Sequence, residues 1–95
     1  MRTVLFVGAG RHQRRAIQRA RELGLRVVGV DRNADALGLR EADVAETVDF
    51  QDVEGVIAAA ERHRVDGVLT ISADRAVPIV AAVAEALGLP GIGTA

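Results

Sequence analysis

The chain has 95 residues and a formal net charge of −1, with two aromatic residues, no cysteine, and arginine in place of every lysine. This length fits one small domain, and the lack of a basic surplus and of aromatic faces argues against a nucleic-acid binder, while the lack of cysteine excludes disulfides and zinc–thiolate sites. No apolar run approaches the ~20 residues of a membrane span and no signal peptide opens the chain, so we expect a cytoplasmic protein without membrane partners.

The first predicted unit is a strand, a glycine turn and a helix. An apolar strand at residues 3–7 runs into Gly-Ala-Gly at residues 8–10, and helical periodicity follows over about residues 11–23, with Gly24 as the expected C-cap. Such a unit points backbone N–H groups and the positive end of the helix dipole at the end of the strand, where anions bind. The dinucleotide motif G-x-G-x-x-G requires a third glycine where this chain has Gln13, so the turn indicates the fold more strongly than a ligand.

The middle of the chain predicts two more strands and a second helix. The second strand covers residues 26–31, and residues 32–44 are predicted to be irregular, with short turns. A short third strand follows at residues 46–49, near an edge of the sheet. The next helix begins near Asp52 and ends at the basic residues 62–64, an arrangement that suits the helix dipole.

The last third of the chain predicts a fourth strand at residues 67–71 and a third helix. Ser72 or Asp74 is the expected N-cap of this helix, and Gly88 ends it. Residues 89–95 form a tail that could begin a fifth strand. The predicted buried face of the helix comprises Val80, Val83, Ala84 and Leu87.

Strands and helices alternate, and the strands are almost continuously apolar, as in a parallel sheet covered on both faces. With right-handed crossovers, the order predicts an α/β fold: a Rossmann-like, three-layer, doubly wound parallel sheet with strand order 3-2-1-4. A sheet that ends at its fourth strand leaves an apolar edge or face. We therefore expect a following domain or a second copy of the chain to cover it.

Candidate binding residues gather after the first strand. The backbone at Gly8 and Gly10 could hold a phosphate or carboxylate, Arg11 could add a bidentate contact, and His12 could donate to a substrate. Gln13 offers neutral hydrogen bonds only. Each residue also has a structural interpretation: a tight turn for the glycines, a solvated arginine and a partly exposed histidine.

Further candidates follow the second and fourth strands. Asp31 lies about twenty residues after Gly10, the spacing at which a dinucleotide fold places the acid that binds ribose hydroxyls, and Arg32 would suit a 2′-phosphate. Ser72 and Asp74 reach the same edge of the sheet, although both could simply cap the next helix. The second histidine of the chain lies far from the first, so we expect no metal site.

Short motifs follow one another along almost the whole chain: G-A-G-R-H-Q at residues 8–13, L-G at 23–24, a strand ending in an acid at 27–31, A-D at 42–43, D-G-V at 66–68, S-A-D at 72–74, V-A-E at 83–85 and L-G-L-P-G at 87–91. Together they resemble the N-terminal, pre-ATP-grasp domain of ATP-grasp ligases. The similarity is greatest to the carbamoyl-phosphate-synthase-large-subunit-like group.

The resemblance implies that residues 1–95 form a single domain, the first part of a longer carboxylate–amine or carboxylate–thiol ligase. In that family this domain helps to shape the acceptor-substrate side of the active site, while ATP and Mg²⁺ bind to later domains. The implied partners are a small anionic acceptor and the ATP-grasp domains of the same or another chain. The resemblance implies no catalytic residue and no cofactor in this chain, which alone should be inactive.

A second interpretation remains open, that of a stand-alone regulatory module that binds NAD(P) or another nucleotide. The NAD-binding domains of potassium-uptake regulators also open with a strand, G-x-G-R and a helix, and their second strand also ends in an acid. Gln13 and the closing motif at residues 87–91 count against this interpretation.

Overall fold

The computed structural model describes residues 2–49, 51–70 and 74–93, which form an α/β domain. Two short 3₁₀ helices, Leu39–Glu41 and Asp74–Ala76, accompany the regular elements. The strands are β1 (Thr3–Val7), β2 (Arg26–Asp31), β3 (Val44–Thr47), β4 (Gly67–Thr70) and β5 (Gly91–Gly93). The helices are α1 (Arg14–Glu22), α2 (Val53–Arg62) and α3 (Val77–Leu87).

All five strands pair in parallel in the order β3-β2-β1-β4-β5. The predicted order 3-2-1-4 is confirmed. The central strand β1 aligns Leu5 with Val28 of β2 on one side and with Val68 of β4 on the other. The tail does form a fifth strand, so β4 is not an edge of the sheet, and the expectation of an apolar edge at the fourth strand is wrong.

The sheet is covered on both faces because the side chains of its strands alternate between them. Leu5 and Val7 of β1 pack with α2 and α3, while Phe6 packs with α1 and the loop that follows β2. All three side chains are almost fully buried. Burial of one such side chain contributes roughly 1.5–3 kcal/mol, so two separate apolar layers hold the sheet between its helices.

Two elements in the first half of the chain, α1 and β3, have limits that differ from the predicted ones. Helix α1 begins at Arg14 rather than at residue 11, because a turn comes first, in which the Gln13 N–H donates to the Gly10 carbonyl at 3.1 Å. Its C-cap is Leu23, and Gly24 follows with a φ of 86°. Strand β3 occupies residues 44–47 instead of 46–49, because its pairing with β2 starts at Val44.

The ends of the later helices agree in part with the sequence. The Asp52 side chain caps α2 by accepting from the Gly55 N–H at 3.1 Å. Gly88 ends α3 in the left-handed conformation, as predicted. The N-cap of α3 is Ala76, without a side-chain cap, and Asp74 instead opens a 3₁₀ helix, so the predicted cap at Asp74 is wrong. The alternative cap, Ser72, lies outside the described residues.

The predicted buried face of α3 is confirmed for Val80, Val83 and Ala84, whereas Leu87 is only partly buried. Within the described part of the chain, no helix combines the length and the apolar character needed to cross a bilayer.

Candidate functional site

The candidate site lies at the carboxyl edge of the sheet, between β1 and β4. The connection after β1 passes over one face of the sheet and the connection after β4 passes over the other, which opens a crevice between the two strand ends. The glycine turn after β1 and the 3₁₀ helix Asp74–Ala76 after β4 form its described rims. The candidate residue Ser72 falls outside the described residues, and Asp74 is placed at this edge by its backbone.

The N–H groups of the glycine turn are already used within the chain. Gly8 donates to the Val30 carbonyl at 2.9 Å, and its φ of 91° makes a glycine necessary there. Ala9 donates to Asp31 Oδ2 at 3.0 Å. Gly10 donates to Gln13 Oε1 at 2.9 Å. An anion at this edge must therefore use other donors or displace one of these two side-chain oxygens.

Asp31 ties the glycine turn to the loop that follows β2. Its Oδ2 accepts from the Ala9 N–H, and its Oδ1 accepts from the Asn33 N–H at 3.0 Å. Both oxygens of the carboxylate therefore serve the backbone of the chain itself. This geometry favours a structural role for Asp31 over the ribose-binding role of the equivalent acid in a dinucleotide fold.

Gln13 is buried, with 6% of its surface exposed, although it stands at the N-cap position of a surface helix. Its side chain folds back over the turn and brings Oε1 to the Gly10 N–H. The residue that replaces the third glycine of the dinucleotide motif thus fills the space near that glycine position with its own carboxamide.

The loop after β2 packs directly on the glycine turn, and sequence reasoning missed this contact. A Cβ atom on Gly38 would lie 2.3 Å from the Ala9 carbonyl oxygen and 2.9 Å from that of Gly10. Ala36 and Leu39, on either side of Gly38, are both buried in the core on the α1 face. The one available signal was a glycine between two leucines, which is an unusual composition for a solvated loop.

Four cationic or potentially cationic side chains remain exposed at this edge: Arg11, His12, Arg32 and Arg75. Among the described residues, none of the four forms a salt bridge. Two arginines of α1 are engaged instead, since Arg14 pairs with Glu41 at 3.2 Å and Arg21 with Asp43 at 3.1 Å. The carboxyl edge thus combines uncommitted positive charge with the positive end of the α1 dipole.

A depression also lies at the opposite, amino edge of the sheet. Its volume is about 550 Å³, and it opens between the end of α1 and the start of β2. The Gln18 side chain donates to Glu41 nearby, and this hydrogen bond, with Arg14 and Arg21, lowers the pKa of that carboxyl. The charges here are paired, so we place the candidate site at the carboxyl edge. The lining residues are Gln18, Arg21, Glu22, Gly24, Leu25 and Asp43.

The described residues contain no group of three or more histidine, aspartate or glutamate side chains placed to hold a metal ion. The candidate residues at the carboxyl edge therefore offer hydrogen bonds and positive charge. Such a surface can bind and orient an anion.

Comparison with known proteins places the chain among ligase domains. The family model described as the ATP-grasp N-terminal domain matches residues 17–91, so the glycine turn lies just before the matched stretch. Formate-dependent phosphoribosylglycinamide formyltransferases from Synechococcus sp. (strain CC9605) and Parasynechococcus marenigrum (strain WH8102) are 35% and 34% identical over 68 residues. The aligned stretch covers 72% of this chain but only 17% and 18% of those proteins.

Solved structures show the same similarity. Glycinamide-RNase-transformylase T from Mycobacterium tuberculosis superposes with a TM-score of 0.77 and 27% identity, over 96% of this chain and 28% of that one. Phosphoribosylglycinamide synthetase from Anaerococcus prevotii superposes with a TM-score of 0.79 and 25% identity, over 92% of this chain and 22% of that one. The chain thus spans less than a third of each relative.

Proposed function

The chain belongs to the ATP-grasp N-terminal domain family, and from this membership we propose that it forms the acceptor-substrate side of an ATP-grasp ligase. The relatives are several times longer than the stretch they share with this chain. We propose that ATP and Mg²⁺ bind to ATP-grasp domains supplied by the same or a partner chain, in the cytoplasm. The domain would then bind and orient the acceptor and leave phosphoryl transfer to those domains.

We further propose that the acceptor is a phosphorylated amine, with a phosphoribosyl amine as the first candidate. The names of the relatives include phosphoribosylglycinamide, which motivates this choice over an acceptor of the carbamoyl-phosphate-synthase-like group. The single observation that carries the proposal is the set of exposed arginines at the carboxyl edge, none of which forms a salt bridge within the described part of the chain. A guanidinium group can bind two phosphate oxygens at once, and Arg11 and Arg32 flank the glycine turn and the loop that packs on it.

The roles of the other candidate residues follow from the contacts at this edge. Gly8 and Gly10 shape the turn before α1, in which Arg11 and His12 are exposed. Gln13 and Asp31 hold that turn through the Gly10 and Ala9 N–H groups. Contacts of Ser72 and Asp74 with the acceptor remain predictions. The chain would position the acceptor without taking a covalent part in the reaction.

A titration of ribose 5-phosphate into the ¹⁵N-labelled chain tests the proposal. We expect the amide signals of Arg11, His12 and Arg32 to shift first, with weak affinity, because other domains would supply the remaining walls of the pocket. Arg11→Ala should weaken binding about threefold, the effect of an exposed ion pair worth somewhat under 1 kcal/mol. The matched control is Arg2→Ala, which removes an exposed arginine at the opposite end of the same strand and should leave binding unchanged.

Two results would contradict the proposal. One is the absence of shifts at the carboxyl edge at millimolar ribose 5-phosphate. The other is tight NADH binding centred on Asp31, which would instead support the regulatory-module interpretation. The bonds of Asp31 to Ala9 and Asn33 argue against that outcome.

A further inference from the structure

In the glycine turn of this chain, the side chain of Gln13 accepts a backbone N–H group that could otherwise bind a ligand. In a dinucleotide fold, the N–H groups of the turn and of the following helix bind the pyrophosphate, and the second glycine of the motif lets the backbone approach it. Here Gly10 occupies that position, and its N–H already donates to Gln13 Oε1 at 2.9 Å. We infer that Gln13 is a specificity-determining residue that shuts this turn to pyrophosphate and so excludes dinucleotides from the domain.

Burial and close packing show how firmly the carboxamide is held. Only 6% of the Gln13 surface is exposed, so the side chain packs against the turn and does not extend into solvent. A Cβ atom on Gly10 would lie 3.2 Å from Oε1, which shows how closely the carboxamide packs on the turn. A pyrophosphate oxygen would have to replace Oε1 at the Gly10 N–H, and the displaced carboxamide would have to leave a buried position. Both steps cost free energy that a glycine at position 13 would not require.

The carboxylate that would bind the ribose in a dinucleotide site also has hydrogen-bond partners within the chain. The Asp31 carboxylate, which would bind the ribose, instead accepts the Ala9 and Asn33 N–H groups. The loop that follows β2 rests on the turn, with Gly38 against the Ala9 carbonyl. Other contacts therefore hold the rest of the turn, and removal of the Gln13 side chain frees a single N–H group, that of Gly10. This role of Gln13 belongs to the domain by itself and does not depend on which acceptor the proposed ligase uses.

The test compares wild type with Gln13→Ala, using inorganic pyrophosphate and NADH as the two probes. Alanine adopts the backbone conformation at this position, where φ is −93° and ψ is −11°. Gln13→Gly restores the third glycine of the motif and serves as the second variant. The matched control is Gln18→Ala, the same substitution on the same helix, beside Glu41 and away from the turn.

In wild type, we expect the Gly10 amide signal to stay unmoved by millimolar pyrophosphate. In Gln13→Ala and Gln13→Gly, the same signal should shift in a saturable way, and the affinity for pyrophosphate should rise at least about tenfold over wild type and Gln18→Ala. The amide spectrum of each variant verifies its fold, and either folded Gln13 variant decides the question. Wild-type binding of pyrophosphate or NADH through the Gly10 amide, or no gain in a folded Gln13 variant, would overturn the inference.

Discussion

Substitution of Gly38 by alanine should have two opposing effects on the stability of the fold, and we expect the destabilising one to be larger. The backbone at Gly38 has a φ of −67° and a ψ of −31°, which alanine adopts without strain. On conformational entropy alone, the substitution should therefore stabilise the fold by about 0.4–1 kcal/mol. The added Cβ, however, would lie 2.3 Å from the Ala9 oxygen and 2.7 Å from its carbonyl carbon.

These contacts cannot relax cheaply, because the atoms that Cβ would meet belong to backbone. The Ala9 N–H is bonded to Asp31, and Gly8 is bonded to β2, so the turn is held from both sides. Overpacking of this kind costs about 1–3 kcal/mol. After the entropic gain is subtracted, we expect a net loss of up to about 2.5 kcal/mol, and each kcal/mol lowers the Tm of a domain of this size by about 4–8 °C.

Thermal unfolding followed by circular dichroism measures this effect, with Gly67→Ala as the matched control. A Cβ on Gly67 would meet only the Pro90 oxygen, at an ordinary 3.7 Å, so that variant should match wild type or exceed it slightly. The amide signals of Ala9 and Gly10 should also shift in Gly38→Ala and not in Gly67→Ala. Equal stability of the two variants would refute the proposed packing of this loop on the glycine turn.

Two further outcomes are expected from the polar contacts. Asp31→Asn should lower the free energy of unfolding in urea by about 1–3 kcal/mol, because one of its two backbone donors loses an acceptor, whereas the exposed control Asp35→Asn should change it little. The pKa of Glu41, followed by ¹³C NMR, should lie below its ordinary value because of the hydrogen bond from Gln18 and the charges of Arg14 and Arg21. Its stabilising contribution should therefore be present above the ordinary pKa and disappear as the pH falls through the lowered value, and Glu41→Gln should remove this pH dependence. An unchanged pH profile in Glu41→Gln, or equal urea curves for the two aspartate variants, would contradict these assignments.

The fold was largely predictable because its signal is local. The apolar runs of β1 and β2 and the periodicity of α2 each appear within a few residues, and right-handed crossovers leave few ways to order the strands. The sequence predictions were wrong where the end of an element is set by pairing with a neighbouring strand rather than by amino-acid composition. Strand β3 begins at Val44 because β2 offers a partner there, and no local feature of the sequence marks that residue.

That the candidate residues share one edge of the sheet was predictable from the sequence, but their hydrogen bonds were not. The sequence by itself places the glycine turn, Asp31 and the cations Arg11 and Arg32 at one edge, since parallel strands end together. It also shows that Gln13 replaces a glycine. It does not show whether that side chain points to solvent or folds over the turn.

Only the tertiary structure shows that the N–H groups of Gly8, Ala9 and Gly10 already have acceptors within the chain. Gln13 reaches Gly10 from the next turn of chain, Asp31 reaches Ala9 across two strands, and Gly38 meets the Ala9 carbonyl from a loop that sequence patterns describe only as irregular. The Asp31 contact joins groups 22 residues apart in the sequence, and the Gln13 contact joins groups three residues apart, but both depend on how side chains pack over the turn. The local sequence thus determined which elements form and where their ends meet, whereas the packing of those ends determined which N–H groups remain for a ligand.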